Sequence, residues 1–202
     1  MTCVQHPPAV LVYLHGFLSS PNAAKAVTLG SYLSQNNVSI EYLRPSLPDT
    51  PDLAIPFLRD FMQNLEDRAK GRTIGLVGSS LGGYYATWLA EAFNCKAVLV
   101  NPAVHPHLLW HKYIGLHQNP YSGVKFDITE AHLKTLQSIY QPEIMHPERY
   151  LVLLQMGDEV LDARDARRQF CHSSCIIEQG GDHHFQGFAR YLPHIISWLN
   201  LE

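Results

Sequence analysis

The stretch Gly78-Ser79-Ser80-Leu81-Gly82 constrains the fold of this chain more than any other. It reads G-x-S-x-G and lies between an apolar, β-like run, Thr73-Ile74-Gly75-Leu76-Val77, and a helix-like one, Tyr84-Tyr85-Ala86-Thr87-Trp88-Leu89-Ala90. A strand that turns sharply into a helix through small residues holds its central serine in a strained backbone position. Side chains two residues to either side would collide, which favours glycine there. Register follows from the same clash. With Ser79 at the centre the flanking residues would be Val77 and Leu81, both too bulky, so Ser80 is the candidate nucleophile. The competing reading is an ordinary glycine-rich turn, and the rest of the chain has to decide.

A nucleophile elbow of this kind belongs to α/β-hydrolases, so an alternating chain should surround it. Strand-like segments do recur, at 10–14, 39–43, 73–77, 97–100, 151–154 and 175–177. Several are near-continuous apolar runs, as expected for strands buried on both faces of a parallel sheet. Helix-like segments alternate with them at about 22–36, 52–69, 80–93, 163–171 and 187–200. The pattern predicts an open, doubly wound α/β domain. At 202 residues the chain suits one such domain, spanning 1–202, with 46% hydrophobic and 16% charged residues. Residues 104–149 break the rhythm, separating two strands by far more than one crossover helix needs. An insertion this long is usually functional. A lid or pocket wall over the carboxyl ends of the strands is the preferred expectation; an excursion packed on the sheet edge is the other.

Composition narrows the partners. A net charge of −3 without a basic cluster argues against nucleic acid. No apolar run reaches the length of a membrane span, and residues 1–8 lack the cationic start and apolar stretch of a signal peptide, so the cytoplasm is the default expectation. Cys3, Cys95, Cys171 and Cys175 are scattered, which argues against a disulfide framework. The Cys171/Cys175 spacing reads as a helix end and a strand start. His105, His107, His111 and His117 lack carboxylate or cysteine partners at a metal-site spacing and read as surface or pocket residues. No metal or organic cofactor is expected.

The remaining parts of a serine hydrolase should follow in the order nucleophile, acid, histidine. The first strand runs into His15-Gly16-Phe17. If that strand neighbours the one carrying Ser80, the backbone N–H groups of Phe17 and Leu81 would face one another as an oxyanion hole. His15, and Trp110 and Tyr113 in the insertion, are candidate substrate-pocket residues. Asp158 follows a strand end and a glycine, where a carboxylate can stand at the top of the sheet. Asp162 reads as a helix N-cap with Asp165 three residues on, and Glu159 as solvated. After the last strand comes Gly180-Gly181-Asp182-His183-His184-Phe185. Position leaves His183 and His184 nearly even as the base.

The segment from Gly78 to Leu89 resembles that of the YqiA-type bacterial esterases, small α/β-hydrolases. Further matches are Tyr13 to Phe17 with Ser19-Ser20-Pro21, Val100 to Val104, Gly157 to Asp162 and Gly180 to Phe185, in order along nearly the whole chain. The resemblance implies a six-stranded parallel sheet of order 2-1-3-4-5-6. It places the base at His183, with His184 in a variable position, and the acid at Asp158. It also implies a carboxylesterase of short-chain acyl esters, with acyl thioesters as an alternative substrate. A ligand-binding scaffold that has lost hydrolysis is the reading from another class.

Overall fold

Strands that are apolar on both faces have no solvent side, and they are stable only side by side beneath helices. The computed structural model describes residues 9–201, so Cys3 lies outside the described residues. In chain order the first elements are β1 (Ala9–Leu14), α1 (Ala24–Gln35), β2 (Ile40–Leu43), α2 (Pro51–Ala69), β3 (Ile74–Ser79), α3 (Leu81–Phe93) and β4 (Lys96–Val100). Then come α4 (Pro106–Leu109), the hairpin β5 (Gly115–Gln118) and β6 (Lys125–Ile128), and α5 (Glu130–Gln137). Finally come β7 (Tyr150–Gln155), α6 (Ala163–Gln169), β8 (Ser174–Glu178) and α7 (Leu192–Leu199).

The main sheet has six strands in the order β2-β1-β3-β4-β7-β8, all parallel. Counting main-sheet strands alone, this is the expected 2-1-3-4-5-6. Because successive side chains of a strand point to opposite faces, the sheet builds two cores at once. Leu11, Tyr13, Val77, Val98, Val100, Leu151 and Leu153 face α1 and α7. Val10, Val12, Leu14, Leu76, Leu99, Val152 and Leu154 face α2, α3 and α6. Burial of these runs is complete or nearly so, which leaves the ends of the strands to present chemistry.

Among the boundaries that differ from expectation, two have clear local reasons. The last helix does not run from 187. Gly187 is left-handed, a 3-10 turn covers Phe188–Tyr191, and the α-helix starts afresh at Leu192. Pro193, which has no N–H to donate, fits in that first turn. Helix α3 begins at Leu81 because Ser80 itself has φ 56° and ψ −123° and serves as its N-cap.

The insertion divides into two parts, and its packing is on helices α2 and α3 rather than on the sheet edge. Its latter half is structural: Ile128, Leu133, Leu136 and Ile139 are buried in the main core, and the Tyr84 hydroxyl donates to the Leu136 carbonyl at 2.8 Å. Its first half, α4 and the 3-10 turn Trp110–Tyr113, stands over the strand ends. The Phe17 ring ties the two layers together, 4.6 Å from Trp110, 5.6 Å from Tyr113 and 6.0 Å from Phe126, centroid to centroid. Cys171 follows the end of α6 and Cys175 lies in β8, both with free thiols, the placement expected for that pair.

The β3–α3 turn is as tight as the glycines suggested. A Cβ on Gly78 would lie 2.3 Å from the Gly82 carbonyl oxygen, and one on Gly82 would lie 2.1 Å from that of Leu14. Backbone packs on backbone here, with nothing flexible to yield. Gly82→Ala is therefore expected to cost about 3 kcal/mol of unfolding free energy in urea. A loss below about 0.5 kcal/mol would show that the turn is not packed in this way.

Candidate active site

The β3–α3 turn lifts Ser80 out of the sheet and fixes its backbone from three sides. Its N–H donates to the Val100 carbonyl at 3.1 Å, and its own carbonyl accepts from Gly83 at 2.9 Å and Ala103 at 3.0 Å. The backbone that carries the side chain is thus held by β4, the segment after it and the first turn of α3. His183 meets it from the far edge of the sheet, with Nε2 3.0 Å from Ser80 Oγ. On the other side of the ring, Nδ1 lies 2.9 and 3.0 Å from the two Asp158 carboxylate oxygens. With a carboxylate as its partner, a neutral ring places its proton on Nδ1 and leaves Nε2 to accept from the serine hydroxyl. Three residues from the turns after β3, β7 and β8 thereby form one hydrogen-bonded chain. His184 is not part of it.

Asp158 is held as an acceptor. Its side chain is 2% exposed, and one carboxylate oxygen also receives the N–H groups of Val160 and Leu161, each at 2.9 Å. Neighbouring Asp162 instead caps α6, accepting the Arg164 N–H at 2.9 Å. The Arg164 side chain beside it holds that carboxyl down to about 2. Glu159 is not merely solvated as expected: its carboxylate accepts the His183 backbone N–H at 3.0 Å.

The turn that carries His183 is anchored by two buried amides that sequence reading missed. Asn101 and Gln155 are each 2% exposed. Asn101 Nδ2 donates to the carbonyls of Asp182, at 2.9 Å, and His183, at 3.3 Å, while its Oδ1 receives the Gln155 N–H. Gln155 Oε1 accepts from the N–H groups of Asp182 and Gln186, and its Nε2 donates to the Gln186 carbonyl and to Glu178. A polar residue closing each of two apolar strands was the available signal. The glycines let the turns touch. Gly181 has φ 75° and a Cβ there would overlap Gln155, while a Cβ on Gly157 would lie 2.4 Å from the Gly181 carbonyl oxygen.

His15 lies outside the cavities that reach Ser80. The residue is 5% exposed, and its ring accepts the Leu47 N–H on Nε2 at 3.1 Å, which puts the proton on Nδ1, 3.0 Å from the Gly16 carbonyl. Burial lowers its pKa and keeps it neutral in this role. It so fixes the loop of Gly16 and Phe17, which lies against Ser80: a Cβ on Gly16 would be 3.2 Å from the serine's own. Leu81 is the first residue of α3, so its N–H has no partner within the helix.

Two cavities meet at Phe17 and Ser80. The smaller, about 40 Å³, is lined by Leu81, Ala103, Pro106, Leu109, Trp110, Tyr113, Val160 and Leu161, with exposed Lys112 as its one charged residue. The larger, about 360 Å³, is lined by Ser19, Lys25, Tyr121, His183 and His184 among others. The hairpin loop that brings Tyr121 there is pinned by Asn119, whose Nδ2 donates to Asp49 at 2.5 Å and whose Oδ1 receives the Tyr121 N–H at 2.9 Å. Trp110 and Tyr113 thus line the smaller cavity. His105 and His107 stack on each other 6.3 Å apart, beside Tyr140.

The sheet order, the crossovers and the serine turn after its third-laid strand define the α/β-hydrolase fold. Solved structures agree. An esterase domain from Rhodothermus marinus matches with a TM-score of 0.71 at 19% identity, covering 97% of this chain and 88% of that one. Est1E from Butyrivibrio proteoclasticus, with ferulic acid bound, matches at 0.70 and 15% identity over 99% and 92%. Mouse alpha/beta hydrolase domain-containing protein 10 matches at 0.69 and 20% over 93% and 88%. Residues 10–200 match the uncharacterised protein family UPF0227, and the chain belongs to that family. Among the described residues no helix is long and apolar enough to cross a membrane.

Gln155→Leu would remove four hydrogen bonds and strand buried amides in the His183 turn. It is expected to lower unfolding free energy by about 3 kcal/mol in urea denaturation. A change below about 0.5 kcal/mol would mean that the turn is held elsewhere.

Proposed function

We propose that this protein is a serine carboxylesterase that cleaves small or short-chain acyl esters, with Ser80 as nucleophile, His183 as general base and Asp158 as the acid that orients it. The observation that carries this reading is the unbroken chain from Asp158 through His183 to Ser80 Oγ, with distances of 2.9 and 3.0 Å. As Ser80 Oγ bonds to the acyl carbon, its proton passes to His183 Nε2, and Asp158 stabilises the imidazolium that results. The carbonyl oxygen gains negative charge, which the Phe17 and Leu81 N–H groups are proposed to receive. When the intermediate collapses, the bond to the leaving oxygen breaks and His183 returns the proton to that oxygen. Water then attacks the acyl-enzyme by the same steps and frees Ser80.

The small cavity supports the acyl preference. At about 40 Å³ it has room for about three water-sized spheres between walls of Trp110, Tyr113 and Leu161. An acetyl or butyryl chain fits such a space, and longer chains must displace packed aromatic rings. Acyl thioesters would meet the same three residues. Cys95, Cys171 and Cys175, all free thiols among the described residues, support a reducing compartment, the cytoplasm, as the place of action.

A panel of 4-nitrophenyl esters of graded chain length tests the reading. We expect kcat/KM highest between acetyl and butyryl and at least about tenfold lower at octanoyl. Ser80→Ala should lose about 10⁴-fold or more with its thermal unfolding unchanged. Wild-type rates in Ser80→Ala would refute the assignment.

A further inference from the structure

A general acid must reach the oxygen it protonates, so an ester's leaving group has to lie on the side that the histidine faces. His183 lines the larger cavity and is absent from the lining of the smaller. This orients the substrate. On the serine-esterase reading, on which this inference rests, the acyl chain enters the apolar space beside Trp110 and the alcohol half occupies the larger cleft. At about 360 Å³ that cleft has the volume of a small-molecule site.

Its lining carries one residue of fixed charge, Lys25, and no carboxylate. Lys25 comes from the first turn of α1, whose positive dipole end adds to the same potential. One ammonium hydrogen is used: Nζ donates to the His184 carbonyl at 2.9 Å. An ammonium has three donors, so two remain for a ligand. Lys25 is half-buried; loss of water lowers its pKa, and the charges of Asp182 and Asp158, neither of them in the cleft lining, offset part of that. A partly desolvated cation facing a cleft without a counter-charge in its lining is the arrangement that selects anions. Tyr121 at the rim supplies a flat surface for a ring.

We infer that the larger cleft is a leaving-group site, specific for alcohols or phenols that carry a carboxylate, and that Lys25 is its specificity-determining residue. The chemistry is that of the proposed reaction: the Ser80 Oγ–acyl bond forms, the acyl–oxygen bond to the hydroxy acid breaks, and His183 gives its proton to the departing oxygen. Lys25 takes no part in bond making. It holds the far end of the leaving group.

The test compares 4-acetoxybenzoate with its neutral, near-isosteric amide, 4-acetoxybenzamide. For each ester kcat/KM is divided by that ester's own alkaline hydrolysis rate. Both values come from one protein preparation, so any loss of folded or active enzyme cancels in their ratio. Wild type should favour the anionic ester by about tenfold at low salt, and the preference should shrink as salt is added. Lys25→Met should bring the ratio to about one, and Lys25→Arg should restore most of it. A wild-type ratio near or below one would overturn the inference, as would a ratio that Lys25→Met leaves unchanged. Turnover of both esters without a charge preference defeats the leaving-group assignment alone. No turnover of either would defeat the esterase reading with it.

Discussion

The contact between His183 Nε2 and Ser80 Oγ joins residues 103 apart in the chain, and the surrounding structure keeps its two ends in place. One end is strained. A serine at φ 56° costs about 1–3 kcal/mol and persists only where its surroundings leave no alternative. Here they leave none: Gly78 and Gly82 let β1, β3 and α3 approach to backbone contact, and Ser80 is hydrogen-bonded to β4 and to the segment after it. The other end is a turn without regular structure, which by itself would wander. It is held by Asn101, Gln155 and Glu159, which engage the backbone of residues 182–186 from three directions.

These two modes of support are different in kind. Ser80 is placed by steric exclusion and strand register, which tolerate no added atom. His183 is placed chiefly by the Asn101 and Gln155 amides, buried away from water, where a lost partner leaves a donor or acceptor stranded. Asn101 and Gln155 stand at the ends of β4 and β7, the two strands between Ser80 and the His183 turn, so the network bridges the distance the active residues must span. The proposed division of the substrate follows from the same layout. Helix α4 and the Trp110–Tyr113 turn close one side of Ser80 with apolar groups, and α1 and the Asn119-pinned loop leave the other side wider and polar.

Much of this was legible in the residues. Alternating apolar runs and helical stretches gave six strands and their helices, since strands buried on both faces cannot hide their composition. Ser80, Asp158 and His183 were found through turn chemistry and resemblance, and the structure brings the three within hydrogen-bond distance. Position alone could not separate His183 from His184, because which side chain of a loop points inward depends on contacts such as Asn101 and Glu159 that lie far off in sequence. The same holds for Asn101 and Gln155, ordinary polar residues until the fold brings the turn to them. His15 marked the correct loop, but its ring is engaged with Leu47 and Gly16. Residues 104–149 were the least legible: half of the segment packs on the core and half walls a cavity, and no periodicity separates the two.

The central claim is that His183 activates Ser80. Fluorophosphonate labelling of the folded protein, mapped by peptide mass spectrometry, tests it most directly. We expect one stoichiometric adduct on Ser80 in the wild type and in His184→Ala, and a labelling rate at least about 10³-fold lower in His183→Ala. An adduct elsewhere, no adduct, or a His183→Ala protein that labels as fast as wild type would contradict the account.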